Sequence, residues 1–404
     1  MLLAVNMIVK DEAADVVAAL DSVRGLADAV VVHDTGSTDG TPDLARAAGA
    51  EVVRGAWHGD FAAARDVPLR RTRARWVLSL DADERFTGEP EALRSLLAAT
   101  PRPAAFAVTV RNPRPDSLGG DFDHAAVRLF SRGGARWSGT LHEVPVGPWG
   151  PPRRLPPETG ALLHLGYADP DLVQRKAARN AALAQAQLDR LVVEGCSDPD
   201  RVGPVLVDLG RALMAAGAPQ RAVESFEAAR ELLPGTRAWA EATDLLARLL
   251  LGDGQHGAVL VLVDQLRTAP TATRSYCDWL AATALANTGR VEEALVLLRG
   301  VDRLVDPAGR EHDPGQAVEL HAVVAAAAGR RQEAAAAALA CLARHGRVRG
   351  RGALLLELWA DTPAERLAAA LVAAGPDHIP AVAAELAGLG GRGAAVAAGL
   401  LPAA

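Results

Sequence analysis

Aromatic residues are scarce in this chain: 2 Tyr, 6 Phe and 7 Trp make up 4% of its 404 residues. Half of all residues are nevertheless apolar. The core must therefore be built largely from Ala, Leu and Val, a composition that suits tightly packed helices over a good part of the length. Cysteine is nearly absent as well. Cys196, Cys277 and Cys341 are odd in number and far apart, which excludes a disulfide framework and paired-cysteine metal sites and fits reduced thiols in the cytosol. No run approaches the ~20 consecutive apolar residues of a membrane helix. The opening MLLAVNMIVKDE carries no basic leader and reads as a first strand. A cytoplasmic location without a membrane span is the expectation. Positive charge is not in excess either. The formal net charge is −6, which excludes a broad basic field for nucleic acid. The length suffices for two or three domains.

What is present centres on LSLDADE, Leu78 to Glu84. Trp76, Val77, Leu78 and Leu80 form an apolar run suited to a buried strand, ending in Asp81-Ala82-Asp83-Glu84. In an extended strand Asp81 and Asp83 point the same way, and adjacent like charges repel unless a cation joins them. Hard oxygen donors favour Mg2+ or Mn2+, usually shared with a phosphate. The plainer alternative is a solvated acidic turn.

The preceding residues alternate between strand and helix. Leu2 to Val9 is a continuous apolar run, as in a strand covered on both faces. Helical periodicity follows over Asp11 to Leu26. Ala29 to His33 is a second strand, closed by the turn formers Asp34 to Thr41, and Pro42 to Ala48 is the next helix. Glu51 to Val53 is a third strand. This alternation argues for an α/β layer fold with ligands outside the carboxyl ends of the strands, where Asp34, Asp39, Asp81 and Asp83 all fall. Arg65, on a helix running toward Arg73, suits either a diphosphate, a strand-end carboxylate or a surface salt bridge. Further strands are expected at Phe106 to Val110, Ala126 to Phe130, Trp137 to Val144 and Leu162 to Tyr167. His142, Glu143 and His164 lie in apolar or Gly-rich company, as structural hydrogen-bonding residues or as parts of a site.

The segments MIVKDE, VVHDTGSTDGT, DFAAARD, WVLSLDADE, RLF, GTLHEV and LLHLGY fall in the order seen in family 2 glycosyltransferases, and residues Leu3 to Asn180 resemble that family. The subgroup they resemble is the SunS type, which attaches sugars to peptides and often carries tetratricopeptide helices. The resemblance implies an α/β GT-A domain with a mostly parallel, Rossmann-like sheet and a nucleotide-sugar donor, most often a UDP-sugar. It implies that Val9 and Glu12 line the nucleoside pocket, that Asp34 contacts base or ribose, and that Asp81 reaches the ribose or the metal shell. Asp83 would ligate Mn2+ or Mg2+ across the diphosphate, with His164 as the downstream metal or phosphate ligand. Arg65 and Arg128 are candidate donors to the leaving diphosphate. Inversion needs a base at the sugar's far face, for which Glu143 is the first choice and His142 the rival, with Asp121 and Asp123 behind. Glu143 as a helix cap or a partner of Arg136 is the structural alternative. Three residues depart from the pattern. His33 replaces an aliphatic residue. Asp66 stands where Asn is usual and places negative charge near the diphosphate. Pro68 interrupts the next helix or falls in its first turn.

Asp171 to Val193 reads as one long helix joining two halves. Beyond it, Leu206, Leu209, Gly210, Leu213, Ala222, Phe226, Ala229 and Pro234 fit the tetratricopeptide signature. Ala258, Leu262 and Pro270, then Ala294 and Leu298, recur at the same spacing, and a fourth copy runs from Val318 to Leu342. The expected organisation is a GT-A domain with its linking helix over residues 1–195 and an all-α tetratricopeptide-like solenoid over 200–345. An Ala/Gly-rich helical cap or tail over 346–404 completes it. Such repeats bind a protein partner, self-associate or brace the fold. The reading is an inverting, metal-dependent transferase from a nucleotide-sugar to a peptide, protein side chain or small-molecule acceptor. The alternatives are a nucleotidyltransferase acting on a sugar phosphate, or a catalytically silent scaffold.

Overall fold

The computed structural model describes residues 1–113, 122–141, 143–166, 170–346, 350–375 and 378–400. Two compact units divide at Leu233/Pro234, one helix pair beyond the domain edge near residue 200 expected from sequence.

Unit 1 opens with β1 (Leu3–Val9), α1 (Val16–Ser22), β2 (Ala29–Asp34), α2 (Thr41–Ala47), β3 (Glu51–Arg54), α3 (Phe61–Arg71) and β4 (Trp76–Ser79). Next come β5 (Glu84–Thr87), α4 (Pro90–Ala99), β6 (Ala105–Asn112), β7 (Phe122–Ser131), β8 (Arg136–Ser138), β9 (Val144–Val146), β10 (Arg153–Arg154) and β11 (Ala161–His164). The helices α5 (Pro170–Val193), α6 (Pro199–Ala215) and α7 (Pro219–Leu232) close the unit. The main sheet runs β3-β2-β1-β4-β7-β6-β11-β5, with β10 against β6. β3, β2, β1 and β4 are mutually parallel, whereas β7 is antiparallel to both β4 and β6. β1 is central, and its sequence, apolar but for Asn6, is buried among Leu20, Leu26, Trp76, Leu78 and Leu93.

The expected helix over Asp11 to Leu26 shortens to Val16–Ser22 for a visible reason. Asp11 adopts φ 54°, and the backbone N–H groups that follow are taken by the Asp34–Thr41 loop instead of a helix. Asp11 N–H donates to Ser37 Oγ (2.9 Å), Glu12 N–H to Thr41 Oγ1 (2.8 Å) and Ala13 N–H to Asp39 Oδ2 (3.0 Å). The turn-forming loop thus holds the Lys10–Ala13 segment in place, and Asp39 serves backbone rather than ligand. The expected strand over Trp137 to Val144 is two short strands, β8 and β9, paired with each other.

α6 and α7 form the first tetratricopeptide-like helix pair. Gly210 permits its close approach, since a Cβ there would fall 2.5 Å from a Phe226 ring carbon. Unit 2 continues with α8 (Arg237–Gly252), α9 (His256–Leu266), α10 (Arg274–Asn287), α11 (Val291–Leu298), the strand pair β12 (Leu304–Val305) and β13 (Glu311–His312), α12 (Gly315–Ala327) and α13 (Arg331–His345). It ends in α14 (Arg351–Leu358), α15 (Ala364–Ala374), α16 (Ile379–Gly388) and α17 (Gly391–Leu400). The turn glycines Gly217, Gly254, Gly289 and Gly329 all take φ between 70° and 77°. At each, the next N–H reaches back to the carbonyl five residues earlier: Ala218 to Leu213, Gln255 to Leu250, Arg290 to Leu285 and Arg330 to Ala325. This is the Schellman closure, which needs a left-handed residue. The second copy slips by one residue relative to the spacing read from sequence. Ala258 is exposed, and Val259 takes the buried place held by Ala222 and Ala294.

Candidate functional site

The acidic tip of the sheet lies just past β4, which ends at Ser79 rather than continuing through the carboxylates. The chain turns there, with Glu84 N–H donating to Asp81 O (3.0 Å). Strand alternation therefore does not place Asp81 and Asp83 together, and the two acquire separate partners.

Asp81 faces two buried guanidinium groups. Arg65 reaches it at 2.7 Å, donates to Ser79 Oγ at 3.0 Å and forms a close ion pair with Glu143. Its guanidinium also lies over the Trp137 ring at 5.1 Å. Arg128 bridges Asp81 and Glu84, each at 3.0 Å. Burial alone would raise the Asp81 pKa, but Arg65 and Arg128 outweigh it and hold the carboxyl well below its usual range. Glu84 moves the other way, raised chiefly by burial, and its Oε2 accepts from Asp81 N–H at 2.9 Å. Arg65 is thus an internal cross-link between a strand end and Glu143, not a surface salt bridge.

Asp83 looks toward β11 and α5. β11 inserts parallel to β6 and antiparallel to β5, with His164 opposite Glu84. That register brings His164 Nε2 to 3.3 Å from Asp83 Oδ2, while His164 Nδ1 meets Asn112 Oδ1 at 2.8 Å. Lys176 Nζ of α5 reaches the same Oδ2 at 2.6 Å. Burial opposes the Asp83 charge, but the His164 contact and the nearby cations hold its pKa below the ordinary value. Gly166 completes the arrangement. A Cβ there would lie 2.3 Å from Asp83 Oδ2 and 2.8 Å from His164 Nε2. Only glycine leaves this space open. An oxygen and an imidazole nitrogen converging on such a space suit Mn2+ or a related divalent ion, so these residues fit the metal that the resemblance implies.

These groups open into a cavity of about 560 Å³. Val9, Glu12, Arg65, Asp81, Asp83 and His164 line it, all expected from sequence. Glu12 has its pKa raised to about 7 by burial and by Asp83. Asp34 does not line the cavity. It is fully buried, accepts from Ser37 N–H at 3.2 Å and pairs with Arg54 at 3.3 Å, while its neighbour Thr35 faces the cavity. Arg128 and Glu143 stand behind Asp81 and Arg65. His142 and Asp121 lie outside the described residues, and Asp123 belongs to β7.

Two expected departures resolve differently from the sequence reading. The Asp66 carboxylate accepts from Trp137 N–H at 2.9 Å. It anchors β8 and is not among the residues lining the cavity. Pro68 lies inside α3, beyond its first turn. Sequence reading missed Lys176, Arg179 and Asn180 of α5, Arg211, Ala212 and Ala215 of α6, and the Trp57–Phe61 ring pair (centroids 4.7 Å apart), all of which line the cavity. The signal was present in RKAARN, where Lys176 and Arg179 share one helix face.

Residues 4–148 match the family model described as glycosyl transferase family 2. A TPR repeat-containing protein of Synechococcus elongatus is 37% identical over 140 residues, 34% of this chain and 34% of that protein. An uncharacterized glycosyltransferase of Rickettsia bellii is 37% identical over 83 residues, 20% of this chain and 28% of that one. The chain thus spans about a third or less of the curated relatives it matches. Among solved structures, glucosyl-3-phosphoglycerate synthase from Mycobacterium tuberculosis, in complex with Mn2+, UDP and phosphoglyceric acid, is 24% identical over 28% of this chain and 42% of its own, with a TM-score of 0.23. No described helix is long and apolar enough to cross a membrane. Residues 4–148 are therefore a glycosyl transferase family 2 domain of GT-A-like fold, followed in sequence by tetratricopeptide-like helix pairs.

Proposed function

We propose that the protein is an inverting glycosyltransferase that moves a sugar from a nucleotide-sugar, in our reading a UDP-sugar, to an acceptor hydroxyl, thiol or amide of a peptide or small molecule. The observation that carries this is the convergence of Asp83, His164 and Gly166 on one space in the wall of a cavity of about 560 Å³. Asp83 and His164 are the residues that would hold Mn2+ or Mg2+. When bound, such an ion supplies a Lewis acid that stabilises charge on the departing diphosphate.

The chain's own residues do the rest. Glu12 and the Ile8–Val9 strand end bound the nucleoside side, with Thr35 in the place expected for Asp34. Arg65, on the cavity wall, ties Asp81 to Glu143 behind it. Transfer breaks the bond from the anomeric carbon to the diphosphate oxygen and forms one to the acceptor atom, whose proton needs a base. Glu143, paired with the cavity-lining Arg65, is our assignment for that base. Arg211, Ala212 and Ala215 of α6 line the cavity, so the acceptor passes against the first helix pair. This favours the peptide-type acceptor of the SunS-like subgroup.

Calorimetric titration with UDP, with and without Mn2+, tests the reading. UDP binding that requires Mn2+ and is lost in Asp83→Ala is expected. Binding indifferent to both metal and Asp83 would overturn it. Incubation of Glu143→Gln with UDP-sugars and candidate peptides, read by mass spectrometry, should show donor binding without transfer.

A further inference from the structure

The cation that sits on Asp83 in this structure is Lys176, and its helix carries a second cation one turn further on. Arg179 also lines the cavity, and its guanidinium lies 5.3 Å over the Phe61 ring. It donates hydrogen bonds to Asn180, its neighbour in sequence, at 3.3 Å and 3.2 Å. Among the described residues it makes no ion pair. It is nonetheless close enough to Glu12, Asp83 and Glu143 to feel all three charges. A guanidinium propped on an aromatic ring, facing a cavity and committed to no carboxylate, is arranged to receive an anion.

Lys176 is arranged differently. Its Nζ lies 2.6 Å from Asp83 Oδ2, the same oxygen that His164 Nε2 approaches at 3.3 Å. A divalent ion on Asp83 and His164 and an ammonium on that oxygen compete for one position, because like charges that close repel strongly. A displaced Lys176 keeps its charge and stays on the cavity wall one helical turn from Arg179.

We propose that Lys176 and Arg179 form a two-cation clamp for the diphosphate of the donor, and that Lys176 holds Asp83 only until a divalent ion replaces it there. The clamp rests on the donor reading above and adds to it residues of α5, beyond the segment that the family model matches. It explains why a helix following the sheet is needed at the site. The arginines beside the acidic tip, Arg65 of α3 and Arg128 of β7, are already paired with Asp81, Glu84 and Glu143.

Two readouts test it without turnover: Mn2+ binding to nucleotide-free protein by electron paramagnetic resonance, and UDP binding by calorimetry in saturating Mn2+. Lys176→Met should bind Mn2+ at least about fivefold more tightly, since its competitor is gone. It should bind UDP roughly tenfold or more weakly, the cost of one charged hydrogen bond. Arg179→Met should weaken UDP to a similar degree and leave Mn2+ affinity near wild type. Lys176→Arg should recover UDP affinity. If wild type shows Mn2+-dependent UDP binding while both Met variants match it in both titrations, the clamp is wrong and the donor reading stands. If wild type binds neither UDP nor Mn2+, both fall. Arg179 is exposed, so its variant decides the question even if Lys176→Met fails to fold.

Discussion

Glu12 shows how a single side chain registers its surroundings. Desolvation and the carboxylate of Asp83 raise its pKa from 4.5 to about 7, so the folded protein binds this proton more tightly than the unfolded chain does. Stability then falls as pH rises from about 4.5 to about 7, the window in which the unfolded state has released the proton and the folded state has not. Asp81 and Asp83, shifted the other way, act only at more acid pH, where protonating them costs stability. In metal-free, nucleotide-free protein, urea denaturation should show wild type losing stability from pH 5 to pH 8 relative to Glu12→Gln. Equal pH dependence in the two proteins would contradict the burial of this group. The sequence disclosed that Glu12 follows a strand end, but not its charge state, which depends on Asp83 arriving from far along the chain. Glu84 was opaque for a related reason. Read as one more acid in a solvated turn, it is 1% exposed and pairs with Arg128. A pattern that treats charge as surface has no means of finding it.

The helices and strands carry their own logic, and two oddities of sequence turn out to be one device. A proline at position 68 has no N–H to give the carbonyl of Ala64, four residues back in α3. His33, at the end of β2, lies with Nδ1 2.9 Å from that same carbonyl. Since the carbonyl oxygen can only accept, Nδ1 carries the proton. The hydrogen bond that Pro68 removes from the helix is thus restored from the sheet, tying α3, and with it Arg65, to β2. His33→Leu should cost about 1–3 kcal/mol by leaving that oxygen unpaired. In a Pro68→Ala background, where residue 68 regains an N–H, it should cost less, with a coupling of about 1 kcal/mol in a double-mutant cycle. Additive effects would show that the two do not cooperate. Here the sequence was half legible: both residues stood out as departures, but partnership between positions on different elements has no periodic signature. The repeats present the opposite case. Their turn glycines and buried helix positions were readable, because each copy restates the same local rule. The one-residue slip at Val259 was not, since matching by fixed spacing favoured Ala258.

At the scale of the whole chain, the point of division matters. α6 packs on α5 and contributes Arg211, Ala212 and Ala215 to the cavity, and the first compact unit extends through Leu233. A fragment of residues 1–233 should melt cooperatively and bind UDP in Mn2+ as the full chain does. A fragment of residues 1–197 leaves α5 without the helix α6 that packs on it, and should bind UDP weakly or aggregate. Equal binding by the two fragments would separate the first helix pair from the site. The parallel strands and their acidic ends could be foreseen from apolar runs closed by turn formers. Arg65 was a foreseeable partner for a strand-end carboxylate, but the pairing of Asp83 with His164 and Lys176 was not, because β11 enters the sheet out of sequence order and α5 follows it. β11 lies between β6 and β5, and it is the only described strand that pairs with β5. On a translating ribosome, β5 and the adjacent Asp83 therefore emerge long before β11, His164 and Lys176 exist to pair with them. A nascent chain arrested ahead of His164 has most of its sheet but neither the strand that covers β5 nor the side chains that pair with Asp83, and that β edge stays open for as long as the interval lasts.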